Sequence, residues 1–389
     1  MTEKESAFLR EHIWNDFCER ERKNQKRIEE TKNQVMPFGE VKMRYGISVN
    51  GSPEKNGYPL YIALHGGGHS DTPDINDSQW EHMKIYYRDS VKNGVYVACR
   101  GVRDTWDTHA NPESFPLYDE LISNMVLFNN VDPNRVYIMG FSAGGDGVYI
   151  TTPKMADRFA AANMSAGCPN NVKLDNLRNM AFIIQAGERD YFFRRNELIA
   201  EYDEYLDRLS AQYGGYYHEA NIHFDKAHNF RDNDSSFTPR AVIKNNAAWL
   251  RDGDREYIEK DVNAVTFLSK QVRNPYPDRV VWNLSQRAPL RKTDTFYWLG
   301  ADKNVNEGEL VVSYSSEKCK ITIEKATAKE FSVYYNEKMF AKEPEIIIDS
   351  ENVSVVKTDY RPEEIALETC GKNCDPNYIF TGRIDFEVK

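Results

Sequence analysis

The sequence predicts an α/β protein whose mostly parallel sheet is covered by helices on both faces, followed by a separate all-β domain. Between about residues 38 and 270, short apolar segments alternate with longer segments of helical periodicity. That alternation is typical of parallel strands joined by helices. After about residue 275 the helical periodicity disappears, and short strand-like segments separated by Asn, Gly, Asp and Pro turns predict a small sandwich.

Three parts of the chain are predicted from this pattern. Residues 1–37 form a helical arm, and its apolar stripe is made by Phe8, Leu9, Ile13, Trp14 and Phe17. Residues 38–272 form the α/β domain. Residues 273–389 form the all-β accessory domain, with the boundary at the Asn274-Pro275-Tyr276-Pro277 segment.

Individual elements follow from periodicity and from helix start and stop signals. In the α/β domain we predict strands at 58–64, 95–99, 136–139, 181–185 and 222–224, and helices at 79–93, 117–129, 194–212 and 239–251. Thr238 and Pro239 are start signals for the last helix, and Gly253 is its stop signal. The accessory domain has predicted strands at 279–282, 296–299, 309–315, 319–324, 331–335, 345–348 and 378–388.

Composition limits the classes of partner. The net charge is −10 and the isoelectric point is about 5.5, so a polyanion such as a nucleic acid would be repelled on average. The N-terminus has no apolar signal segment, and no stretch approaches the roughly 18 apolar residues of a spanning helix. We therefore expect a cytoplasmic protein without a nucleic-acid or membrane partner. Its oligomeric state is left open.

The six cysteines are scattered along the chain, which is not a zinc-binding pattern. Cys370 and Cys374 lie near each other, but their spacing is not C-x-x-C and no second pair accompanies them. Reduced thiols and no bound metal are expected.

The strongest chemical signal is the segment Gly140-Phe141-Ser142-Ala143-Gly144-Gly145, which follows a short predicted strand and begins a helix. G-x-S-x-G in this context makes a sharp strand-to-helix turn that exposes the serine hydroxyl as a nucleophile. Upstream, a predicted strand runs into His65-Gly66-Gly67-Gly68. The backbone N–H groups of that turn, with the N–H of Ala143, predict an oxyanion hole. A phosphate-binding loop is the alternative, but its G-x-x-x-x-G-K-[ST] motif is absent. His65 and His69 do not have metal-ligand spacing, and His65 is interpreted as a structural residue.

A nucleophilic serine needs a base and an acid that orients the base. Asp190 lies in a loop at the end of a predicted strand, and His228 lies before the last predicted helix of the α/β domain. Glu188 is the alternative acid. His218 and His223 lie within or before a predicted strand, where a side chain more often packs than reaches the active edge of the sheet. His228 is therefore the favoured base, and His223 is the alternative.

The segments containing Ser142, Asp190, His228 and the His65–Gly68 turn resemble the α/β-hydrolase superfamily, whose triad has the chain order Ser, Asp, His. Within it, residues 40–255 are most similar to serine esterases of the feruloyl-esterase, acetylxylan-esterase and polyhydroxybutyrate-depolymerase kind, including prolyl-oligopeptidase-like catalytic domains. The resemblance implies an acyl-enzyme mechanism without metal or organic cofactor. It also implies Gly67, Gly68 and Ala143 as oxyanion donors. The N-terminal helix and the β domain are departures from the family pattern.

Three functions agree with these residues. The first is hydrolysis of small or carbohydrate-linked carboxylic esters. A serine peptidase or amidase would use the same triad, and a non-catalytic binding protein would use the same scaffold. Trp106 and Phe192 are the predicted substrate-binding residues, because both lie in loops at the nucleophile's edge of the sheet. These aromatic rings could equally close a small core beneath the loops.

Overall fold

The computed structural model describes residues 1–68, 73–168, 171–233, 240–348, 353–359 and 361–389. Its contacts divide the chain into two compact units. One unit is Glu29–Arg273, and the other joins Met1–Ile28 to Asn274–Lys389. The second boundary falls at the predicted Asn274 segment. Of the arm predicted at residues 1–37, residues 1–28 belong to the same unit as the C-terminal residues, and residues 29–37 belong to the other unit.

A single sheet organises the Glu29–Arg273 unit. Ten strands are present among its described residues: β1 (Val35–Phe38), β2 (Val41–Asn50), β3 (Tyr58–Leu64), β4 (Gly94–Cys99), β5 (Val131–Phe141), β6 (Ala161–Ser165), β7 (Ala181–Gly187), β8 (His218–His223), β9 (Arg240–Ile243) and β10 (Tyr257–Lys260). Their order is β1-β2-β4-β3-β5-β6-β7-β8-β9-β10. The run from β4 to β8 is parallel, whereas the strands at both edges are antiparallel. The fold class predicted from the sequence, an α/β-hydrolase sheet, is confirmed.

Four helices of the described residues connect parallel strands: α3 (Asp74–Tyr86), α4 (Ser114–Phe128), α5 (Ala143–Met155) and α6 (Arg195–Tyr213). Three more lie outside the parallel run: α2 (Gln25–Asn33) precedes β1, α7 (Asn246–Asp252) joins β9 to β10, and α8 (Ala264–Ser269) follows β10. Strands β3, β4, β6 and β7 are mostly apolar and almost entirely buried, because helices cover them. This core places the carboxyl ends of β3, β5 and β7 at one edge of the sheet.

Several local predictions were wrong. The helix predicted at 239–251 begins only at Asn246, where the Asn245 side chain accepts a bond from the Ala248 N–H. Arg240–Ile243 is instead strand β9, paired with β10. Thr238 and Pro239, its predicted start, lie outside the described residues. Gly253 ends the helix as predicted, in the left-handed conformation. Strands β2 and β6 were not predicted.

The other unit contains α1 (Glu3–Glu21), two sheets and a C-terminal helix. Its strands are β11 (Arg279–Asn283), β12 (Thr295–Phe296), β13 (Leu299–Gly300), β14 (Glu309–Ser315), β15 (Lys320–Ala326), β16 (Glu330–Tyr335), β17 (Glu345–Ile348), β18 (Val353–Asp359) and β19 (Gly382–Val388), and its helix is α9 (Pro362–Asn373). One sheet has the order β11-β14-β15-β17 and the other β12-β13-β16-β19-β18. Aromatic contacts join them: Trp282 stacks on Phe296, and Trp298 meets Tyr314 edge-on.

Two features of this unit differ from the prediction. Helix α9 and strand β18 were not predicted, so the described part of this domain is β-rich but includes a helix that packs against α1. The segment predicted as one N-terminal helix is two helices followed by strand β1, with Pro37 inside the strand. Ile13 and Phe17 of the predicted stripe are buried, but Phe8 is exposed. Among the described helices, none is both long and apolar enough to cross a bilayer.

Candidate active site

The turn between β5 and α5 places Ser142 at the edge of the sheet. Ser142 has φ 58° and ψ −121°, a strained conformation for a non-glycine residue. The turn is possible because the residues two before and two after Ser142 are glycines. A Cβ atom on Gly144 would overlap the carbonyl oxygen of Leu64, and a Cβ atom on Gly140 would overlap the carbonyl oxygen of Gly144. The Ser142 N–H donates to the Ser165 carbonyl at the end of β6 (2.9 Å). The serine hydroxyl is therefore held above the sheet at the first turn of α5.

A chain of two hydrogen bonds joins Ser142, His228 and Asp190. The Ser142 hydroxyl is 3.1 Å from His228 Nε2, and His228 Nδ1 is 2.7 Å from Asp190 Oδ2. Because the buried Asp190 carboxylate accepts from Nδ1–H, Nε2 is left as the acceptor for the serine proton. The three residues, distant in sequence, thus meet in the arrangement of a nucleophile, a base and an orienting acid.

The loop that carries Asp190 is fixed by its neighbours. Arg195 Nη1 lies 3.5 Å from Asp190 Oδ1, and the Asn196 N–H donates to the Asp190 carbonyl (3.3 Å). The His228 loop packs by aromatic contacts: the ring of Phe141 meets that of His228 edge-on at 5.7 Å, and Phe230 lies against Phe141. Both loops are therefore also held by residues other than Ser142, His228 and Asp190.

The alternative acid and base are engaged elsewhere. Glu188 forms two hydrogen bonds with Arg255 (2.5 and 2.7 Å) and accepts the Asp225 N–H (2.8 Å). Burial opposes its charge, yet these donors hold the pKa of Glu188 below the usual range. His223 bonds to Gln185 (3.0 Å), and burial lowers the pKa of His223 to about 3. His218 lies 3.2 Å from Asp203, far along the strand. The geometry therefore favours Asp190 and His228.

The glycine turn supplies fewer free donors than the sequence predicts. The Gly68 N–H donates to Asn76 Oδ1 at 2.9 Å, and Asn76 Nδ2 returns a bond to the Gly68 carbonyl. Gly68 is therefore already paired, which corrects its assignment as an oxyanion donor. Gly67 lines the same cavity as Ser142 and has φ +105°, a conformation that favours glycine. Gly67 and Ala143 remain the candidate donors.

His65, which precedes the glycines, has a structural role: its hydrogen bonds hold the turn in place. The Gly101 N–H donates to His65 Nε2 (3.1 Å), and His65 Nδ1–H donates to the Gly66 carbonyl (2.5 Å). Its own carbonyl accepts from His109 Nε2 (2.9 Å). Burial lowers the pKa of His65 to about 4, so the ring is neutral near pH 7. His69 lies outside the described residues.

A cavity of about 570 Å³ opens beside the serine. One face of α3 forms a wall of it, with Gln79, His82, Met83 and Tyr86 at spacings of three, one and three residues. Phe230 and Arg231, just after the histidine, line another side. Neither Trp106 nor Phe192 is among the lining residues: Trp106 lies near Gly68 and is 62% exposed, and Phe192 is 71% exposed. The periodicity of α3 predicted a helix, but nothing in it indicated that this face borders the cavity.

Two buried carboxylates near the site were also missed. Asp232 accepts from the Tyr86 and Tyr87 hydroxyls (3.0 and 2.8 Å) and from Ser165 Oγ (2.5 Å), and burial raises its pKa. Asp146, on the first turn of α5, accepts the Cys168 N–H (2.5 Å). Burial raises the pKa of Asp146 to about 6, although Arg195 and His228 act in the opposite direction. Within the parts of the chain the structure describes, no cluster of three or more His, Cys, Asp or Glu side chains could hold a metal ion.

The sheet order and the serine turn define an α/β-hydrolase fold. No model of a known protein family and no curated protein matches the chain. Among solved structures, it is similar to a thermostable esterase (20% identity over 61% of this chain and 62% of that chain, TM-score 0.40). It is also similar to Est1E of Butyrivibrio proteoclasticus with ferulic acid bound (13% identity over 50% of this chain and 90% of that chain, TM-score 0.34). A third similar structure is a truncated carbohydrate esterase from gut microbiota (11% identity over 48% of this chain and 83% of that chain, TM-score 0.35). The chain thus spans less than two thirds of the thermostable esterase's length.

Proposed function

We propose that this protein is a serine hydrolase that cleaves carboxylic esters through an acyl-enzyme intermediate. The observation that carries the proposal is the hydrogen-bonded chain from the Ser142 hydroxyl through the His228 ring to the Asp190 carboxylate (3.1 and 2.7 Å). Its substrate is a small-molecule or carbohydrate-linked ester, for which the 570 Å³ cavity beside Ser142 provides room.

In the proposed reaction, His228 Nε2 takes the Ser142 proton as the oxygen attacks the ester carbonyl carbon. The Asp190 carboxylate holds the ring in the tautomer that leaves Nε2 free, and it stabilises the imidazolium. The N–H groups of Gly67 and Ala143 stabilise the oxyanion, each worth about 3–4 kcal/mol. The imidazolium then protonates the leaving alcohol. A water molecule repeats the sequence on the acyl-enzyme and releases the acid.

The test compares hydrolysis of 4-nitrophenyl acetate, 4-nitrophenyl butyrate and aminoacyl 4-nitroanilides by the wild type and by Ser142→Ala. We expect turnover of the esters that falls by about 10,000-fold or more in the variant. Faster turnover of the anilides would identify a peptidase or amidase instead. Absence of turnover together with no labelling by a fluorophosphonate would identify a binding protein on a hydrolase scaffold.

A further inference from the structure

We propose that the ester cleaved at this site carries a carboxylate group, which Arg231 binds beside Ser142. The inference rests on the proposed function and names its substrate class. The carboxylate takes no part in bond making: water still divides the ester into acid and alcohol at the Ser142 acyl-enzyme. The carboxylate only positions the substrate in the cavity through its contact with Arg231.

Arg231 is the charged side chain among the described residues that line the cavity, which also include the imidazole rings of His82 and His228. No carboxylate is among the lining residues in the described ranges. This arrangement runs against the chain as a whole, whose net charge is −10. A cavity wall of one sign in a protein of the opposite sign selects a ligand by charge.

Arg231 has no hydrogen bond or ion pair through its side chain among the residues that the structure describes. The carboxylate of the neighbouring Asp232 forms no ion pair with it: the Asp232 oxygens accept from the Tyr86 and Tyr87 hydroxyls and from Ser165 Oγ. A guanidinium presents a planar fork of donors that fits a carboxylate with two hydrogen bonds. The unpaired Arg231 therefore offers such a site at the wall of the cavity.

A second cavity, of about 540 Å³, continues the same charge pattern. It shares Asn229, Phe230 and Arg231 with the first, and it adds Lys226 and Arg240. The carboxylate that lines it, Asp225, is bound by Arg189 and Arg255. Arg231 thus lies where two cavities meet, and a substrate bound at Ser142 has cationic side chains on the side of His228.

The experiment uses two pairs of esters that differ in one charge. The first pair, 4-acetoxybenzoate and its methyl ester, places the carboxylate on the leaving group. The second pair, mono(4-nitrophenyl) glutarate and 4-nitrophenyl valerate, places it on the acyl group. The quantity read is the ratio of kcat/KM for the charged ester to that for the neutral ester, because a general loss of activity cancels in this ratio.

In the wild type we expect the charged ester to be preferred in at least one pair. Arg231→Gln should reduce that ratio by about tenfold, the effect of losing one charge-assisted hydrogen bond. Arg231→Lys should retain part of the preference. The matched control is Arg251→Gln, an exposed arginine on α7 paired with Asp252, which should leave the ratio unchanged. Added salt should weaken the preference.

Equal turnover of both members of each pair by the wild type, or a ratio that Arg231→Gln does not change, would overturn the inference. 4-Acetoxyphenyl phosphate, assayed in parallel, separates a phosphate site from a carboxylate site, and a stronger preference for it would also overturn the assignment. The proposed function fails in a different way: the neutral esters would not be cleaved, and a fluorophosphonate would not label Ser142.

Discussion

At the scale of single residues, the proposed chemistry depends on which carboxylate faces the His228 ring. Asp190 lies 2.7 Å from Nδ1, whereas Glu188 is bound to Arg255. Asp190→Asn should lower kcat/KM by about 10,000-fold, because an amide stabilises the wrong tautomer and no imidazolium. Steady-state rates on 4-nitrophenyl butyrate measure this effect.

Glu188→Gln is the matched variant for that experiment. It should keep activity within about tenfold while lowering the free energy of unfolding by about 1–3 kcal/mol, since bonds to Arg255 are lost. If Glu188→Gln abolished turnover and Asp190→Asn did not, the assignment of the acid would be reversed.

Asp146 makes stability depend on pH. Burial raises its pKa to about 6, so the folded protein binds the proton more tightly than the unfolded chain, whose aspartates titrate near about 4. The ionised form of Asp146 therefore destabilises the fold, and the free energy of unfolding falls as the pH rises from about 4 through about 6. Asp146→Asn removes that penalty. It should stabilise the protein by about 1–3 kcal/mol at pH 8 and by almost nothing at pH 4.

Denaturant unfolding of the wild type and Asp146→Asn at both pH values measures the difference, in which other titrating groups cancel. An equal effect of the substitution at pH 4 and pH 8 would show that Asp146 does not titrate in this window.

At the residue level, chain order carried the information in the sequence. G-x-S-x-G predicted Ser142 as the nucleophile, and the loops after later strands predicted Asp190 and His228 as its partners; the structure brings the three within hydrogen-bonding distance. The paired state of Gly68 and the cavity position of Arg231 could not be predicted. Both depend on side chains that lie near each other only after folding.

At the scale of elements, the turn from β5 to α5 tolerates no side chain at Gly144. Gly144→Ala would press a methyl group into the Leu64 carbonyl of β3, and neither backbone can move without breaking the sheet. We expect a loss of at least about 3 kcal/mol in the free energy of unfolding, or no soluble protein. Thermal unfolding and soluble yield are the measurements.

Gly371→Ala is the control, because it is also a helical glycine but has no atom within 4 Å of the added methyl group. It should stabilise α9 by about 0.5–1 kcal/mol. A soluble Gly144→Ala protein of wild-type stability would mean that the serine turn has another geometry.

The elements that the sequence missed share a physical cause. Strand β6 (Ala161–Ser165) is short, rich in small residues and buried between β5 and β7, so it has neither alternation nor bulky apolar side chains. Strand β9 was predicted as the start of a helix, but pairing with β10 fixes Arg240–Ile243 in an extended conformation. Tertiary contacts decide these segments more than local propensity does.

At the scale of the whole molecule, the two ends of the chain belong to one unit. Arg10 of α1 is buried and donates to the Ile379 carbonyl (2.7 Å), the Pro376 carbonyl (3.0 Å) and the Tyr276 hydroxyl (3.0 Å), and it pairs with buried Glu337. Arg10→Ala leaves the Glu337 carboxylate without its cationic partner, with the Ser6 hydroxyl still donating to it (2.7 Å). We expect a loss of about 3–5 kcal/mol in the free energy of unfolding.

Lys23→Ala, which removes an exposed ion pair with Glu19, should leave the stability almost unchanged. Denaturant unfolding of both variants measures the contrast. Similar small effects would show that α1 is a separate arm, as the sequence alone predicted.

Mass analysis of the peptide that carries Ser142, after rapid mixing with 4-nitrophenyl acetate, tests whether this serine forms the acyl-enzyme. We expect a burst of 4-nitrophenol close to one equivalent and an acetyl group on Ser142 that disappears as turnover ends, with neither in Ser142→Ala. Steady hydrolysis with no acetyl group on Ser142, or wild-type turnover by Ser142→Ala, would contradict it.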